Sequence, residues 1–143
     1  MEESVLQEQM MTFVRTFGLH KPEETPCGQP IPVAEAYALT ELAKENQLSQ
    51  HDLVQRLNLA KSTVSRMVKK LVKRGWISRE RSQDDGRVWL LSLTEAGVNT
   101  AVNLSQARQT KFAQILNHIP ESEQENVINA LATLIQAMHQ SDG

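Results

Sequence analysis

Basic residues are concentrated in one stretch of the chain, from Arg56 to Arg87. This stretch holds ten lysines and arginines against three acidic residues, a net charge of +7, so the remainder must carry −9 for the chain to total −2. A positive segment on an acidic body attracts a polyanion to one face and repels it elsewhere. The alternative is a solvated, lysine-rich helix face without a partner.

The centre of this stretch predicts a helix from Lys61 to Arg74 with two distinct sides. The apolar side repeats at helical spacing and consists of Val64, Met67, Val68 and Leu71. The other side combines hydroxyl and cationic residues, and those predicted to contact DNA are Lys61, Ser62, Thr63, Ser65, Arg66, Lys69, Lys70 and Lys73. A helix in the major groove reads bases near its N-terminus, where hydroxyls and Arg66 can bond to base edges. The later lysines are expected to meet phosphates, which adds affinity without sequence information.

A hairpin is predicted after this helix, with strands at residues 76–81 and 87–92 and a turn-forming cluster between them. Arg87 then lies at or near the hairpin tip. A narrow minor groove concentrates negative potential and attracts an inserted arginine. Asp85 is expected to pair with an arginine and hold the tip in shape, and Gly86 is expected to supply the tight turn. The alternative is an ordinary charged hairpin turn.

Periodicity elsewhere predicts the elements that must position the basic helix. A helical stripe at residues 5–17 is followed by a Pro- and Gly-rich connector at 18–32. A helix at 33–45 comes next, and Ser49 to Asp52 resembles a capping box that opens a short helix. Gly75 is placed to end the basic helix, Thr94 to cap a long helix at 95–117, and Pro120 to begin the last helix.

The predicted fold class is therefore mainly α with a small β-hairpin wing, a winged helix-turn-helix with N- and C-terminal dimerisation helices. The corresponding domains are a dimerisation helix and connector at 1–32, a DNA-binding domain at 33–97 and further dimerisation helices at 98–143. The terminal helices have apolar stripes without an obvious place in the small central core. Such stripes usually find a partner, and a two-fold homodimer is the commonest solution, although they could also fold back on their own domain.

Composition and motifs exclude several classes of protein. The single cysteine, Cys27, rules out an intrachain disulfide. No phosphate loop, metalloprotease motif or nucleophile elbow is found, so we expect no enzyme activity, no cofactor and no metal site. The acidic N-terminus lacks the basic region of a secretory signal, and no apolar stretch approaches the roughly 20 residues of a membrane span. A cytoplasmic protein without a membrane partner is expected.

The basic helix and hairpin resemble those of the MarR family of bacterial transcription regulators. The resemblance lies in a serine/threonine-rich recognition helix, its glycine exit, a D-x-R wing and an L-T-x-x-G helix start; these are Leu59 to Arg66, Leu71 to Ile77, Asp85 to Arg87 and Leu93 to Gly97. It implies a homodimer joined by both terminal helices that binds a pseudo-palindromic operator in double-stranded DNA. It also implies a repressor released by a small-molecule effector bound between the dimerisation and DNA-binding lobes.

Several residues are candidates for sensing such an effector, namely Arg15, His20, Cys27, Tyr37 and Arg108. The arginines, His20 and Tyr37 could reach the cleft that the family uses and pair with an anionic or phenolic ligand. Some relatives sense peroxides through one cysteine, but Cys27 lies in the connector rather than on the first helix. His20, Glu24 and Cys27 could supply N, O and S ligands to a metal. A redox- or metal-responsive regulator of the same fold therefore stays open, as does a winged helix that binds only proteins.

Overall fold

A computed structural model describes residues 1–142, which form six helices and three short strands. In chain order these are α1 (Glu2–Phe17), α2 (Val33–Ala43), β1 (Leu48–Ser49), α3 (Gln50–Leu57), α4 (Lys61–Lys73), β2 (Ile77–Arg81), β3 (Trp89–Leu93), α5 (Glu95–Asn117) and α6 (Glu121–Ser141). The contacts divide the chain into two compact units, one from Met1 to Ala107 and one from Arg108 onward.

The helix-turn-helix is formed by α3 and α4, and local signals in the sequence set its boundaries. Ser49 caps α3 by accepting a hydrogen bond from the backbone N–H of Asp52 at 3.0 Å. Asn58 ends α3 in the left-handed region, which asparagine tolerates better than most residues. After α4, Gly75 adopts φ +81 while Trp76 N–H bonds to the Leu71 carbonyl at 3.1 Å, the bonding of a Schellman cap.

The core of the first unit lies under α4. The apolar side of α4 is buried, as the helical spacing predicts, and packs against α3 and β2. The largest fully buried side chains of this core include Leu39, Leu42, Leu53, Val64, Val68 and Leu71. Four side chains of α4 are thus removed from water, and each contributes about 1.5–3 kcal/mol toward holding the helix in place. The opposite side of α4 is left to solvent.

The three strands form an antiparallel sheet in the order β1-β3-β2. Ile77 pairs with Leu93 and Arg81 with Trp89, so the hairpin is in regular register up to its tip. The strands begin and end within two residues of the predicted positions. The strand β1 was not predicted, because it has only two residues, which form a strand only by pairing with Leu90 and Leu91 of β3.

Thr94 fixes the start of α5 against the end of the basic helix. Its hydroxyl donates to the carbonyl of Gly75 and accepts a hydrogen bond from the backbone N–H of Gly97 at 3.0 Å. Gly97 is buried so close to the Trp76 carbonyl oxygen that a Cβ at this position would collide with it. The L-T-x-x-G segment therefore caps a helix and permits a close backbone approach.

Both terminal helices leave their apolar side chains largely in solvent. Neither α1 nor α6 has a buried residue. Among the exposed apolar residues are Val5, Leu6 and Phe13 of α1 and, on α6, Ile128, Leu131 and Ile135. No helix among residues 1–142 is long and apolar enough to cross a membrane. The predicted fold class is confirmed in its helical content and its wing.

Candidate nucleic-acid interface

The solvent side of α4 brings the sequence-predicted contact residues together. Six of the eight are exposed and two are half-buried, whereas the residues between them on the helix belong to the core. Ser62, Arg66, Lys69 and Lys73 follow one another at spacings of three and four, which places them along one line of the helix. Hydroxyl groups thus occupy the N-terminal half of the exposed side and lysines its C-terminal half.

Cations on this side of α4 have no acidic partner among the described residues. Among residues 1–142, no carboxylate forms an ion pair with Lys61, Arg66, Lys69, Lys70 or Lys73. Five positive charges held along 13 residues repel one another, and a bound polyanion relieves that repulsion. The electrostatics of α4 therefore suit a negatively charged partner.

Two other arginines of the basic stretch serve the protein's own structure. Arg56 lies 3.0 Å from Glu45 and 3.8 Å from Glu41, so it ties α3 to the end of α2. Arg74 lies 3.2 Å from the buried carboxylate of Glu35 without the alignment of a hydrogen bond, and its guanidinium also sits 5.3 Å from the Trp76 ring. The net charge of +7 counted along the sequence thus overstates the positive charge offered to a partner.

The tip of the hairpin is held by hydrogen bonds within the wing loop (residues 82–88). The backbone N–H of Val88 bonds to the Asp85 carbonyl at 3.0 Å, and that of Ser82 bonds to the Val88 carbonyl at 2.9 Å. Asp85 accepts from the backbone N–H of Arg87 at 3.0 Å and from its Nε at 3.2 Å. The backbone N–H and then the guanidinium of Arg87 lower the pKa of Asp85 below its usual range. Asp85 therefore pairs with Arg87 itself.

Gly86 lies in the turn but does not supply a conformation that requires glycine. Its φ is outside the left-handed region, and a Cβ built on it would meet nothing within 4 Å. Its carbonyl oxygen matters instead, because it accepts a hydrogen bond from Arg81 Nη1 at 3.0 Å. The expected role of Gly86 in forming the turn is therefore not required by the backbone.

An aromatic cluster at the base of the wing loop was not predicted from the sequence. The guanidinium carbons of Arg79 and Arg81 lie 4.4 and 3.8 Å from the centre of the Trp89 ring, within the range of cation–π attraction. Arg81 pairs directly with Trp89 across the sheet, and Arg79 is its diagonal neighbour. The alternation of Arg79 and Arg81 in a predicted strand opposite Trp89 was the signal that could have shown it.

A cleft of about 260 Å³ separates the wing from the start of the two helices. It is lined by Gln50, His51 and Val54 of α3, by Lys61 at the start of α4, and by Arg87, Val88 and Trp89 of the wing. Two of the DNA-contact candidates, Lys61 and Arg87, thus face one opening although 26 positions separate them in sequence. The wing and the start of α4 therefore each contribute a cation to this cleft.

Among the candidate sensor residues, those considered as metal ligands are not brought together as a site. Arg15, His20 and Tyr37 are exposed and Cys27 is half-buried. Glu24 pairs with Lys21 at 3.2 Å, and among residues 1–142 no three His, Cys, Asp or Glu side chains lie close enough to hold a metal ion. The proposed ligand set of His20, Glu24 and Cys27 therefore does not form.

A groove of about 420 Å³ is present in the first unit, away from those candidates. Its walls come from the end of α2, from β3 and from α5, and its lining residues are Leu42, Ala43, Glu45, Asn46, Leu93, Val98, Ala101, Val102 and Ser105. None of the predicted effector residues lines it. The groove combines an apolar floor with a few polar groups, which is the composition of many small-molecule sites.

Comparisons with known proteins agree with this geometry. YdgJ of Bacillus subtilis, an HTH-type transcriptional regulator, is 28% identical over 96 residues, which cover 67% of this chain and 58% of YdgJ. The HTH-type transcriptional regulator SarZ of Staphylococcus haemolyticus is 29% identical over 94 residues, covering 66% of this chain and 63% of SarZ. The chain thus spans less than two thirds of the length of these two relatives.

Solved structures show the same fold. FabT of Streptococcus pneumoniae, crystallised in complex with DNA, superposes with a TM-score of 0.80 at 18% identity, covering 98% of this chain and 99% of FabT. The sequence profile of the MarR family matches residues 29–88, from the end of the connector to the wing loop. That match, the two relatives and the winged-helix fold make the central part of this chain similar to the MarR family.

Proposed function

We propose that this protein is a sequence-specific transcription regulator that binds double-stranded DNA as a homodimer. The observation that carries the proposal is the solvent side of α4, where five cations have no acidic partner among residues 1–142 and lie beside the exposed Ser62 and the half-buried Thr63 and Ser65. The arrangement suits a helix lying in the major groove. A structural neighbour with the same fold, FabT, was crystallised with DNA.

The two halves of α4 would have different roles in DNA binding. Ser62, Ser65 and Arg66 lie near the N-terminus, where a docked helix meets base edges, so they would set sequence preference. Lys69, Lys70 and Lys73 lie toward the C-terminus and would contact phosphates. Preference and affinity are therefore expected to depend on different residues.

The wing would enter the neighbouring minor groove through Arg87. Its side chain is 91% exposed, and the Asp85 carboxylate holds it at the loop that projects from the sheet. An arginine held in this way loses less conformational freedom on binding than a free one. Lys61 and Arg87 face the same cleft, so both grooves would be contacted from one surface.

The exposed apolar residues of α1 and α6 support a two-fold dimer, in which a second copy of the chain covers them. Such a dimer would bind a pseudo-palindromic operator, with one winged helix on each half-site. Repression, and release by a small effector, remain predictions from the family resemblance. The groove between α2, β3 and α5 is the place we propose for that effector.

Selection of bound sequences from a random duplex pool tests the proposal directly, followed by affinity measurements over a range of salt. We expect a two-fold symmetric site and an affinity that falls steeply as salt rises, because bound lysines and arginines release counterions. An affinity independent of salt would contradict the proposal and favour a winged helix that binds proteins.

Two substitutions separate the two halves of α4. Arg66→Ala is expected to relax preference at one base position, at a cost of about 1–3 kcal/mol in binding. Lys69→Ala, one turn later, should weaken binding to all sequences alike and lower the salt slope by about 1. The assignment is wrong if both variants bind the selected duplex as the parent does.

A further inference from the structure

The wing loop is joined to the sheet by the last pair of the hairpin, Arg81 and Trp89. The hairpin is regularly paired up to Arg81 and Trp89, after which residues 82–88 leave the sheet. Trp89 lines the cleft beside Gln50 and Lys61 and also holds Arg79 and Arg81 against its ring. Trp89 therefore contacts β2 through its ring and lines the same cleft as Lys61 at the start of α4.

Arg81 connects this cluster to the loop itself. Its guanidinium lies 3.8 Å from the ring centre of Trp89, while its Nη1 donates to the Gly86 carbonyl at 3.0 Å. A planar guanidinium can stack on an aromatic ring and donate a directed hydrogen bond at the same time, which an ammonium group does less well. The Gly86 carbonyl, next to Arg87 in the chain, is thereby linked through Arg81 to the ring of Trp89.

We propose that Arg81 and Trp89 are positioning residues, which set the place of Arg87 relative to α4 without touching a base. This inference rests on the proposed function, since the position of Arg87 matters only if the wing enters a DNA groove. Binding two grooves at once requires a fixed separation between the two contacting elements, and displacement by about an ångström can remove such a contact. The chain fixes that separation through an arginine and an indole rather than through the loop sequence alone.

The competing explanation is that Arg81 contacts a phosphate directly. Arg81 is exposed and has no carboxylate partner among residues 1–142, so its charge is available to DNA. The two explanations differ in what the Arg81→Lys substitution does. A lysine side chain at this position would keep the charge but lose the stacked, hydrogen-bonded geometry.

The experiment compares Arg81→Lys, Arg81→Ala, Trp89→Phe and Trp89→Ala with the parent, using the duplex recovered by selection. If the residues position the wing, Arg81→Lys loses about threefold to thirtyfold in affinity although it keeps the charge, Trp89→Ala loses a similar amount, and Trp89→Phe retains most of the affinity. In an Arg87→Ala background the same substitutions should cost almost nothing further, because the contact they position is already absent.

Amide hydrogen exchange in the free protein supplies a readout that does not depend on DNA. The N–H of Val88, which bonds to Asp85, should exchange faster in Arg81→Lys and Trp89→Ala than in the parent. Protection of the Leu71 amide in α4 serves as the control that the domain remains folded. If Trp89→Ala does not fold, Trp89→Phe is measured in its place.

The outcomes separate this inference from the function on which it rests. A parent that binds no duplex overturns both. A parent that binds while Arg81→Lys keeps full affinity and Arg81→Ala lowers the salt slope by about 1 assigns Arg81 to a phosphate contact and overturns the positioning role alone. The positioning role is also overturned if the Arg81 and Trp89 substitutions lower the affinity equally in the parent and in the Arg87→Ala background.

Discussion

Arg87 shows how a side chain can be open to solvent and still be held in place. It is 91% exposed, yet Asp85 binds both its backbone N–H and its guanidinium. The ion pair itself contributes little to folding, because water and salt screen charges at such an exposed position. Its consequence is local, since it keeps the arginine near one orientation above the turn.

Titration of Asp85 tests this local arrangement. Hydrogen bonds from Arg87 lower its pKa in the folded chain, so their contribution to the turn is present above the ordinary pKa of an aspartate and is lost as pH falls through the lowered value. The side-chain carboxyl signal in NMR should therefore titrate below the usual range. In Arg87→Ala the midpoint should rise only partly, because the backbone N–H, the larger cause, remains. A parent midpoint in the usual range would contradict the arrangement.

Gly97 and Gly86 make a matched pair for testing which glycines the fold requires. A Cβ at Gly97 would collide with the backbone carbonyl of Trp76, whereas a Cβ at Gly86 would meet open space at an ordinary φ. Gly97→Ala should lower the free energy of unfolding by about 1–3 kcal/mol, as overpacking does in other cores. Gly86→Ala should stay within about 0.5 kcal/mol of the parent. Chemical denaturation measures both, and equal effects would refute the distinction.

At the scale of elements, Glu35 and Arg74 join α2 to the end of α4. The Glu35 side chain is only 7% exposed, while that of Arg74 is 40% exposed, so the pair places a carboxylate inside the protein at the boundary of the recognition helix. Burial of an unpaired charge is unfavourable, and Arg74 is the cation that compensates it. This pair therefore helps to fix where α4 ends.

Removal of Arg74 is expected to destabilise the domain more than removal of a neighbouring lysine. Arg74→Ala leaves the Glu35 carboxylate buried without its partner and should cost about 1–3 kcal/mol of unfolding free energy. Lys70→Ala removes an exposed cation that has no ion pair among the described residues, and should change stability by about 0.5 kcal/mol or less. Denaturant midpoints of the two variants decide the matter. The doubly substituted Glu35→Gln, Arg74→Ala protein should recover part of the loss.

The elements differ in how far the sequence predicts them, for physical reasons. The bounds of α4 and α5 follow from periodicity and from capping residues such as Thr94 and Gly75, which act within a few residues. The strand β1 could not be predicted, because its two residues become a strand only through pairing with β3. The partners of Arg56 and Arg74, and the stacking of Arg81 on Trp89, also depend on tertiary contacts. The solvent side of α4 could be predicted, because all of its residues lie on one helix and helical periodicity alone places them on the same side.

At the scale of the whole molecule, the charge distribution orients binding. The residues outside the basic stretch carry a net charge of −9, so they repel DNA while α4 attracts it. This distribution favours approach of a polyanion to α4. The terminal helices expose apolar side chains to water, and such side chains are expected to be buried against a partner.

Dimer formation through those helices is the prediction at this scale. Ile128, Leu131 and Ile135 lie within one apolar side of α6 and are 60%, 42% and 49% exposed. Sedimentation of the parent at micromolar concentration should give about twice the chain mass of 16.1 kDa. Leu131→Glu should shift the protein to monomer, because a carboxylate would be buried in the interface without a partner.

Control for this substitution comes from the opposite side of the same helix. Asn126→Glu places the same new charge on an exposed residue away from the apolar side, and it should leave the dimer intact. Operator affinity should follow the oligomeric state, since a monomer holds one half-site only and loses the gain of linked binding. A parent that sediments as a monomer, or a Leu131→Glu dimer that binds as tightly as the parent, would mean that α6 is not the dimer contact.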